Sequence, residues 1–229
     1  MVIPSTVDLV DGVWQDGNTY TVTAIADGNN YNFGVFYNSG ITSVTFPSSL
    51  TSIGRFAFYR CSGLTGGLNL SGCTSLTSIG DSAFLECRGL QGELNLGGCT
   101  SLTSIGSIAF GNCSGLTSVT LPSSLTSIGD SAFYLCSKLT GELDFSNCTS
   151  LTSIGDSAFY YCEGLTSIDL SGCTSLTSIG DYAFGYCSAL ELVVFPEGST
   201  GWEVSTSPYM TNPISVDVTN PSTNASNLT

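Results

Sequence analysis

The stretch Leu151 to Phe159 reads LTSIGDSAF. The same nine letters recur from Leu76 and from Leu125, with near-copies from Leu50 (LTSIGRFAF), Leu102 (LTSIGSIAF) and Leu176 (LTSIGDYAF). Working outward from the AF pair of each copy, Phe58, Phe84, Phe110, Phe133, Phe159 and Phe184 are separated by 26, 26, 23, 26 and 25 residues. A cysteine follows each phenylalanine at +3 (Cys61, Cys87, Cys113, Cys136, Cys162, Cys187), and a leucine follows each cysteine at +3 (Leu64, Leu90, Leu116, Leu139, Leu165, Leu190). Phe36, ahead of Ile41, reads as an earlier, degenerate copy. A period of this length is one coil of a solenoid, a unit that cannot bury its apolar edge alone but can do so in a stack.

The spread of the period has a local cause. LTSVTLPSSLTSIG (Leu116 to Gly129) becomes LTSIDLSGCTSLTSIG (Leu165 to Gly180) by exchanging PSS for SGCTS, two extra residues at a turn. LTSVTL against LTGELDF adds one residue before the strand. Within LTSIDL, Leu165, Ile168 and Leu170 are expected to face inward and Ser167 and Asp169 outward, the alternation of a short strand. Leu176 and Ile179 point inward from a second short extended piece. Gly180 is expected to permit a bend, and DYAF to open a helical turn with Asp181 as its N-cap. Phe184 and Cys187 then return to the core, each inward residue lying about 4.8 Å from its equivalent in the next coil.

Composition bounds the partners. Acidic residues outnumber basic ones 18 to 4, the net charge is −14, and there is no histidine. Such a surface repels phosphate backbones and anionic membranes, so nucleic acid is excluded as an expected partner. Apolar residues make up 41% of the chain, enough to drive burial. No apolar run approaches the roughly 20 residues of a membrane span, and MVIPSTV has neither a charged leader nor a long apolar segment, so neither membrane insertion nor a signal peptide is expected.

The run CxxLTSVTLPSSLTSIGDSAFxxC resembles the BspA-like leucine-rich repeats of bacterial and protozoan surface proteins. The resemblance covers about residues 41–196 and extends to VIPSTV (Val2 to Val7) and YTVTAIAD (Tyr20 to Asp27). It implies a β-rich, right-handed leucine-rich-repeat solenoid with short parallel strands and short helical turns. It also implies display outside the cell or at its surface, binding to proteins or cell surfaces, and no catalytic residues. The family sits on long secreted chains, so a fragment of a longer protein is expected. The expected organisation is an N-terminal cap with a degenerate repeat over 1–40, the solenoid over 41–198, and a C-terminal cap and linker or tail over 199–229. Trp14 and Trp202 flank the regular repeats and read as cap residues over the end coils. ISVDV (Ile214 to Val218) alternates like one more strand.

Several columns invite a functional reading. The six AFxxC cysteines read as a ladder of buried free thiols. The turn cysteines Cys73, Cys99, Cys148 and Cys173 read either so or as disulfides between adjacent coils. With no CxxC pair and no histidine, zinc is not expected, nor is any other metal or cofactor. Asp81, Asp130, Asp156 and Asp181 form a column with Ser107 in its gap. Serine there fits capping better than cation binding. The tyrosines near the AF turns (Tyr59, Tyr134, Tyr160, Tyr161, Tyr182, Tyr186) read either as exposed interface aromatics or, the favoured expectation, as rings lying over neighbouring coils.

The outward positions of the main strand vary while the core positions repeat. The candidate ligand-binding residues are Glu93, Asn95, Ser118, Thr120, Glu142, Asp144, Ser167 and Asp169, lining the concave face where solenoids bind. They suit a basic or hydroxyl-rich ligand, or are a merely solvated face. Without histidine, with carboxylates distributed by repeat and with no nucleotide or hydrolase fingerprint, catalysis is not expected. The expected function is a surface adhesion module for a protein or glycan. The alternatives are a self-associating surface fibre and, through the Thr/Ser ranks of LTSIG, ice or mineral binding.

Overall fold

Each repeat settles as two short extended pieces joined by turns. The structure, a computed structural model, describes residues 23–28 and 34–198 in full, together with the backbone of strands at 6–8, 12–13, 19–20 and 215–218. The strands are β1 (Thr6–Asp8), β2 (Gly12–Val13), β3 (Thr19–Tyr20), β4 (Ala24–Ile25), β5 (Ser43–Thr45), β6 (Ser52–Ile53), β7 (Gly66–Asn69), β8 (Ser78–Ile79) and β9 (Leu90–Asn95). They continue as β10 (Ser104–Ile105), β11 (Leu116–Thr120), β12 (Ser127–Ile128), β13 (Thr140–Asp144), β14 (Ser153–Ile154), β15 (Gly164–Asp169), β16 (Ser178–Ile179), β17 (Leu192–Phe195) and β18 (Ser215–Val218). Trp14 and Trp202, read as caps, lie outside the described residues.

The Ser-Ile pair of LTSIG is the short strand of every coil. These pairs stack as one seven-stranded parallel sheet running β4-β6-β8-β10-β12-β14-β16. Ala24 lies over Ser52 and Ile25 over Ile53, so the YTVTAIAD segment does carry the LTSIGD half-coil. The sheet sets the count of stacked coils at about seven. At the other end of the chain, β18 pairs in parallel with β17, as the alternation of ISVDV suggests.

The longer strands form three parallel sheets: β1-β5, β7-β9-β11 and β13-β15-β17-β18. The residue inserted before some of these strands is a glycine at positive φ: Gly66, Gly92 and Gly141, at 82°, 80° and 75°. At Gly141 a Cβ would meet nothing within 4 Å, so the backbone conformation and not space requires glycine there. The ladder passes this extra residue as a bulge between Gly141 and Glu142. It stops between β5 and β7 and between β11 and β13. At both places a coil ending in Phe-Pro or Leu-Pro is followed by one with the inserted glycine.

The core is a set of columns. Phe36, Phe58, Phe84, Phe110, Phe133, Phe159 and Phe184 stack face over face, with ring centroids 4.9, 4.9, 5.2, 5.3, 5.0 and 5.7 Å apart. Leu165, Ile168 and Leu170 are buried, as the alternation requires. Each fully buried Leu, Ile or Phe contributes about 1.5–3 kcal/mol.

The AF turn is not helical: the described residues hold no helix. In one coil Ser82, Phe84 and Glu86 donate their N–H groups to the carbonyls of Ser107, Ala109 and Gly111 in the next, at 2.8, 2.7 and 2.8 Å. The intervening Ala83, Leu85 and Cys87 donate back to Gly80, Ser82 and Phe84, at 3.2, 3.2 and 3.1 Å. A helix would use every N–H within its own coil. Here alternate amides join the coils instead. The alternation is set by left-handed residues two before and two after the phenylalanine of each AF pair, such as Ser82 (φ 55°) and Glu86 (φ 58°). Asp181 therefore caps no helix. The Asp column works between coils: Asp27, Asp81, Asp130 and Asp156 accept the N–H of Arg55, Ser107, Asp156 and Asp181 at 2.7, 2.9, 3.0 and 2.8 Å.

The glycine of LTSIG has a different role from the bend expected of it. None of that column has positive φ. A Cβ on Gly155 would lie 2.6 Å from the backbone N of Asp130 and 2.7 Å from the carbonyl carbon of Gly129. The glycine lets one coil sit against the backbone of the coil before it.

Candidate functional site

The outward side chains of the long strands are brought together by register. Glu93 stands beside Ser118 and Asn95 beside Thr120. Glu142 stands beside Ser167 and Asp144 beside Asp169. Glu93, Ser118, Thr120, Glu142 and Asp144 are exposed, and Asn95, Ser167 and Asp169 are half-buried. The two groups belong to different sheets, separated at the break between β11 and β13.

Five of these eight have work inside their own coil or with a neighbour. Asn95, Asp144 and Asp169 each accept, on Oδ1, the N–H two residues ahead: Gly97 at 3.1 Å, Ser146 at 2.7 Å and Ser171 at 2.8 Å. Asn69 does the same for Ser71 at 2.9 Å. This is an Asx turn, which closes the chain as it leaves the strand. Where the residue two ahead is Pro47, Pro122 or Pro196, it has no N–H to satisfy, and the strand position is Thr45, Thr120 or Val194. The variation in this column therefore follows the turn. The exchange was visible in the sequence as Asn/Asp-x-Ser/Gly against Thr/Val-x-Pro. Glu93 accepts from the Thr120 hydroxyl at 2.7 Å across the ladder. Ser118, Glu142 and Ser167 keep outward side chains, giving the face a hydroxyl and carboxylate character.

The threonine rank of LTSIG is committed to the backbone. Thr77, Thr126, Thr152 and Thr177 donate their hydroxyls to the carbonyls of Thr51, Thr103, Thr126 and Thr152, at 2.8, 2.8, 2.8 and 2.9 Å. That leaves the oxygen and not the proton for anything outside.

All ten cysteines are free and buried. The AFxxC thiols donate to the phenylalanine carbonyl of the preceding coil, from 2.8 Å for Cys61 to Phe36 to 3.3 Å for Cys187 to Phe159. Cys99 and Cys173 likewise reach Leu70 and Phe145, at 3.0 and 3.4 Å. Burial pushes the Cys99, Cys136, Cys173 and Cys187 thiols up to about 12 and Cys148 up to about 11. Cys61, at the start of the ladder, goes the other way to about 7, held down first by a hydrogen bond from Cys87 and then by Ser39.

The edge carrying the AF turns gathers two groups of side chains. Arg55, Arg60 and Arg88 lie on its N-terminal half and pair with Asp81 at 3.5 Å and with Glu86 at 3.4 and 3.4 Å. On the C-terminal half the tyrosines meet one another: Tyr134 to Tyr160 at 5.8 Å, Tyr160 to Tyr161 at 4.8 Å, Tyr160 to Tyr186 at 5.0 Å and Tyr161 to Tyr186 at 4.6 Å between ring centroids. No helix among the described residues is long and apolar enough to cross a membrane.

No curated protein matches the chain. It is similar to a T. pallidum leucine rich repeat protein (31% identity, 53% of each chain, TM-score 0.46) and to a leucine-rich repeat protein from Bacteroides ovatus (24% identity, 83% of this chain and 63% of that one, TM-score 0.49). It is also similar to a leucine rich cell surface protein from Faecalibacterium prausnitzii (21% identity, 86% of this chain and 77% of that one, TM-score 0.39). The chain thus spans 53% and 63% of the length of the first two of these. The model of the BspA type leucine rich repeat region matches six copies over residues 29–93 and 77–207. The protein belongs to the BspA-type leucine-rich repeat family.

Proposed function

We propose that the chain is a non-enzymatic binding module, displayed at a cell surface, that presents its long-strand face to a protein or glycan. The contact set is Glu93, Asn95, Ser118, Thr120, Glu142, Asp144, Ser167 and Asp169. The observation that carries the reading is the contrast within one strand. Inward positions repeat coil after coil, whereas Glu93, Ser118, Glu142 and Ser167 change with no turn or core contact that demands it. Their carboxylates, on a chain of net charge −14, favour a basic or hydroxyl-rich ligand. Family membership supports display outside the cell.

The test is affinity measured by biolayer interferometry against a panel of basic extracellular-matrix proteins and neutral glycans. Glu142→Lys and Ser118→Lys, both on exposed strand positions, are expected to weaken binding to at least one panel member by about tenfold or more, the scale of a lost or reversed charge contact. A panel in which every interaction survives both substitutions would overturn the reading of this face.

A further inference from the structure

We propose that the tyrosine cluster at the C-terminal half of the AF-turn edge is a second docking surface, built to take arginine side chains of a basic segment on a partner protein. It deepens the binding-module reading, from which it takes only the premise that the chain binds a protein.

The pattern that carries it is internal to the solenoid. In the early coils an arginine lies over an aromatic ring at this edge: Arg60 Cζ is 4.9 Å from the Tyr59 ring centroid and Arg55 Cζ is 5.7 Å from that of Phe56. Each of those guanidinium groups also meets a carboxylate of the next coil, Glu86 or Asp81. The later coils keep an aromatic in the columns of Tyr59 and Phe56 and a carboxylate in the column of Asp81 but omit the arginine, and Tyr161 and Tyr186 take the column of Arg60 and Glu86. Tyr134 and Tyr160 occupy the column of Tyr59, and Tyr182 occupies the column of Phe56. Asp130, Asp156 and Asp181 stand in the column of Arg55, and the only cation of this half is Lys138.

Five rings, Tyr134, Tyr160, Tyr161, Tyr182 and Tyr186, touch in one cluster. Tyr182 is 46% exposed, which is unusual for a large ring among the described residues. The rings are in mutual contact at 4.6 to 6.4 Å, so no cage is left open for a compact ammonium. A planar guanidinium needs only a ring face and a nearby carboxylate, and it stacks where an ammonium cannot. The net charge of −14 draws basic segments toward the chain at long range, and the cluster selects arginine at short range.

The experiment is calorimetric titration of the whole chain, at physiological salt, with a peptide of alternating arginine and glycine and with its lysine counterpart. Two variants borrow residues that other coils already hold in the same columns, which protects the fold. They are Tyr182→Ser, after Ser82, and Tyr160→Leu, after Leu85. The arginine peptide is expected to bind at least fivefold more tightly than the lysine peptide. The double variant is expected to lose tenfold or more toward arginine and to erase the preference. Glu142→Lys, on the long-strand face, is titrated beside them: a loss of the arginine peptide there with none in the tyrosine variants would move its binding to the first face and overturn this proposal, so failure here is separable from failure of the first face. Equal affinity for the two peptides, or unchanged binding by the tyrosine variants, would overturn the proposal. A mass that rises with concentration in the absence of peptide, and no longer does so in Tyr182→Ser, would assign the surface to a second copy and overturn the partner named here.

Discussion

At the scale of single residues, the repeated letters divide into those that fill space and those that forbid it. Phe133 has no exposed surface and stacks on Phe110 and Phe159 at 5.3 and 5.0 Å. Phe133→Ala removes a ring from the middle of a column whose neighbours are pinned by inter-coil hydrogen bonds and cannot close the gap. The expected loss is about 3–5 kcal/mol in equilibrium denaturation, and a loss under about 1 kcal/mol would mean that the stack is not formed. The inward Leu, Ile, Phe and Cys positions were legible in the sequence because burial imposes a period. The left-handed residues were not. Ser82, Ile108, Leu135 and Tyr161 all hold φ near 55–62°, and none is a type that advertises that conformation. They tolerate it because each coil's alternate N–H groups are satisfied by the next coil, a long-range gain that local propensity does not contain. The LTSIG glycine was read as a bend for the same reason: its clash is with a residue about 26 positions away.

At the scale of the strand and its turn, one amide decides the residue two positions earlier. Asp144 accepts the Ser146 N–H at 2.7 Å, and Asp169 accepts that of Ser171 at 2.8 Å. The proline coils dispense with both donor and acceptor. Asp169→Thr is therefore expected to cost about 0.5–1.5 kcal/mol, the net worth of one hydrogen bond. Adding Ser171→Pro removes the orphaned N–H and is expected to recover at least half of that cost, a coupling that a double-mutant cycle by urea denaturation measures directly. Additive losses would show that the Asx turn does not set the column. This coupling also marks how far the candidate site was legible. Of the eight residues that the alternation pointed outward, five are exposed and Asn95, Ser167 and Asp169 are half-buried, and variation there was taken as a sign of ligand contact. For Asn95, Asp144 and Asp169 it follows turn chemistry, whereas Glu93, Ser118, Glu142 and Ser167 remain the positions where variation has no such cause. The inserted residue before the strand was legible as a length change. Its form, a bulge at Gly141 that coincides with interrupted ladders, depends on the order of successive coils.

At the scale of the whole molecule, the stacked architecture turns a single thiol per turn into a collective property. Each coil from Cys61 onward adds a cysteine whose S–H reaches back to a carbonyl of the coil before, and beyond Cys61 the ladder holds its thiols neutral and buried. Burial raises the thiols of Cys73, Cys87, Cys99, Cys113, Cys136, Cys148, Cys162, Cys173 and Cys187 above their ordinary value. In the unfolded chain the same groups ionise near about 8.5. Above that pH the unfolded state has released protons that the folded state still binds, so stability falls as pH rises. The contribution is complete below the unfolded value and is lost progressively toward the folded values of about 11 for Cys148 and about 12 for Cys99, Cys136, Cys173 and Cys187. Cys61 opposes this over a lower window: held near about 7 when folded, it adds stability above its unfolded value and loses it as pH falls through 7. One thiol acts against nine, so the melting temperature is expected to decline steeply between about pH 9 and 12, with little change just below that range. Replacing Cys113, Cys136 and Cys162 together by Ala removes three of the groups that drive the decline. The triple variant starts less stable, yet its melting temperature is expected to fall less steeply with pH than that of the native chain. Parallel curves for the two proteins would mean that alkaline unfolding comes from the −14 net charge and not from the thiol ladder.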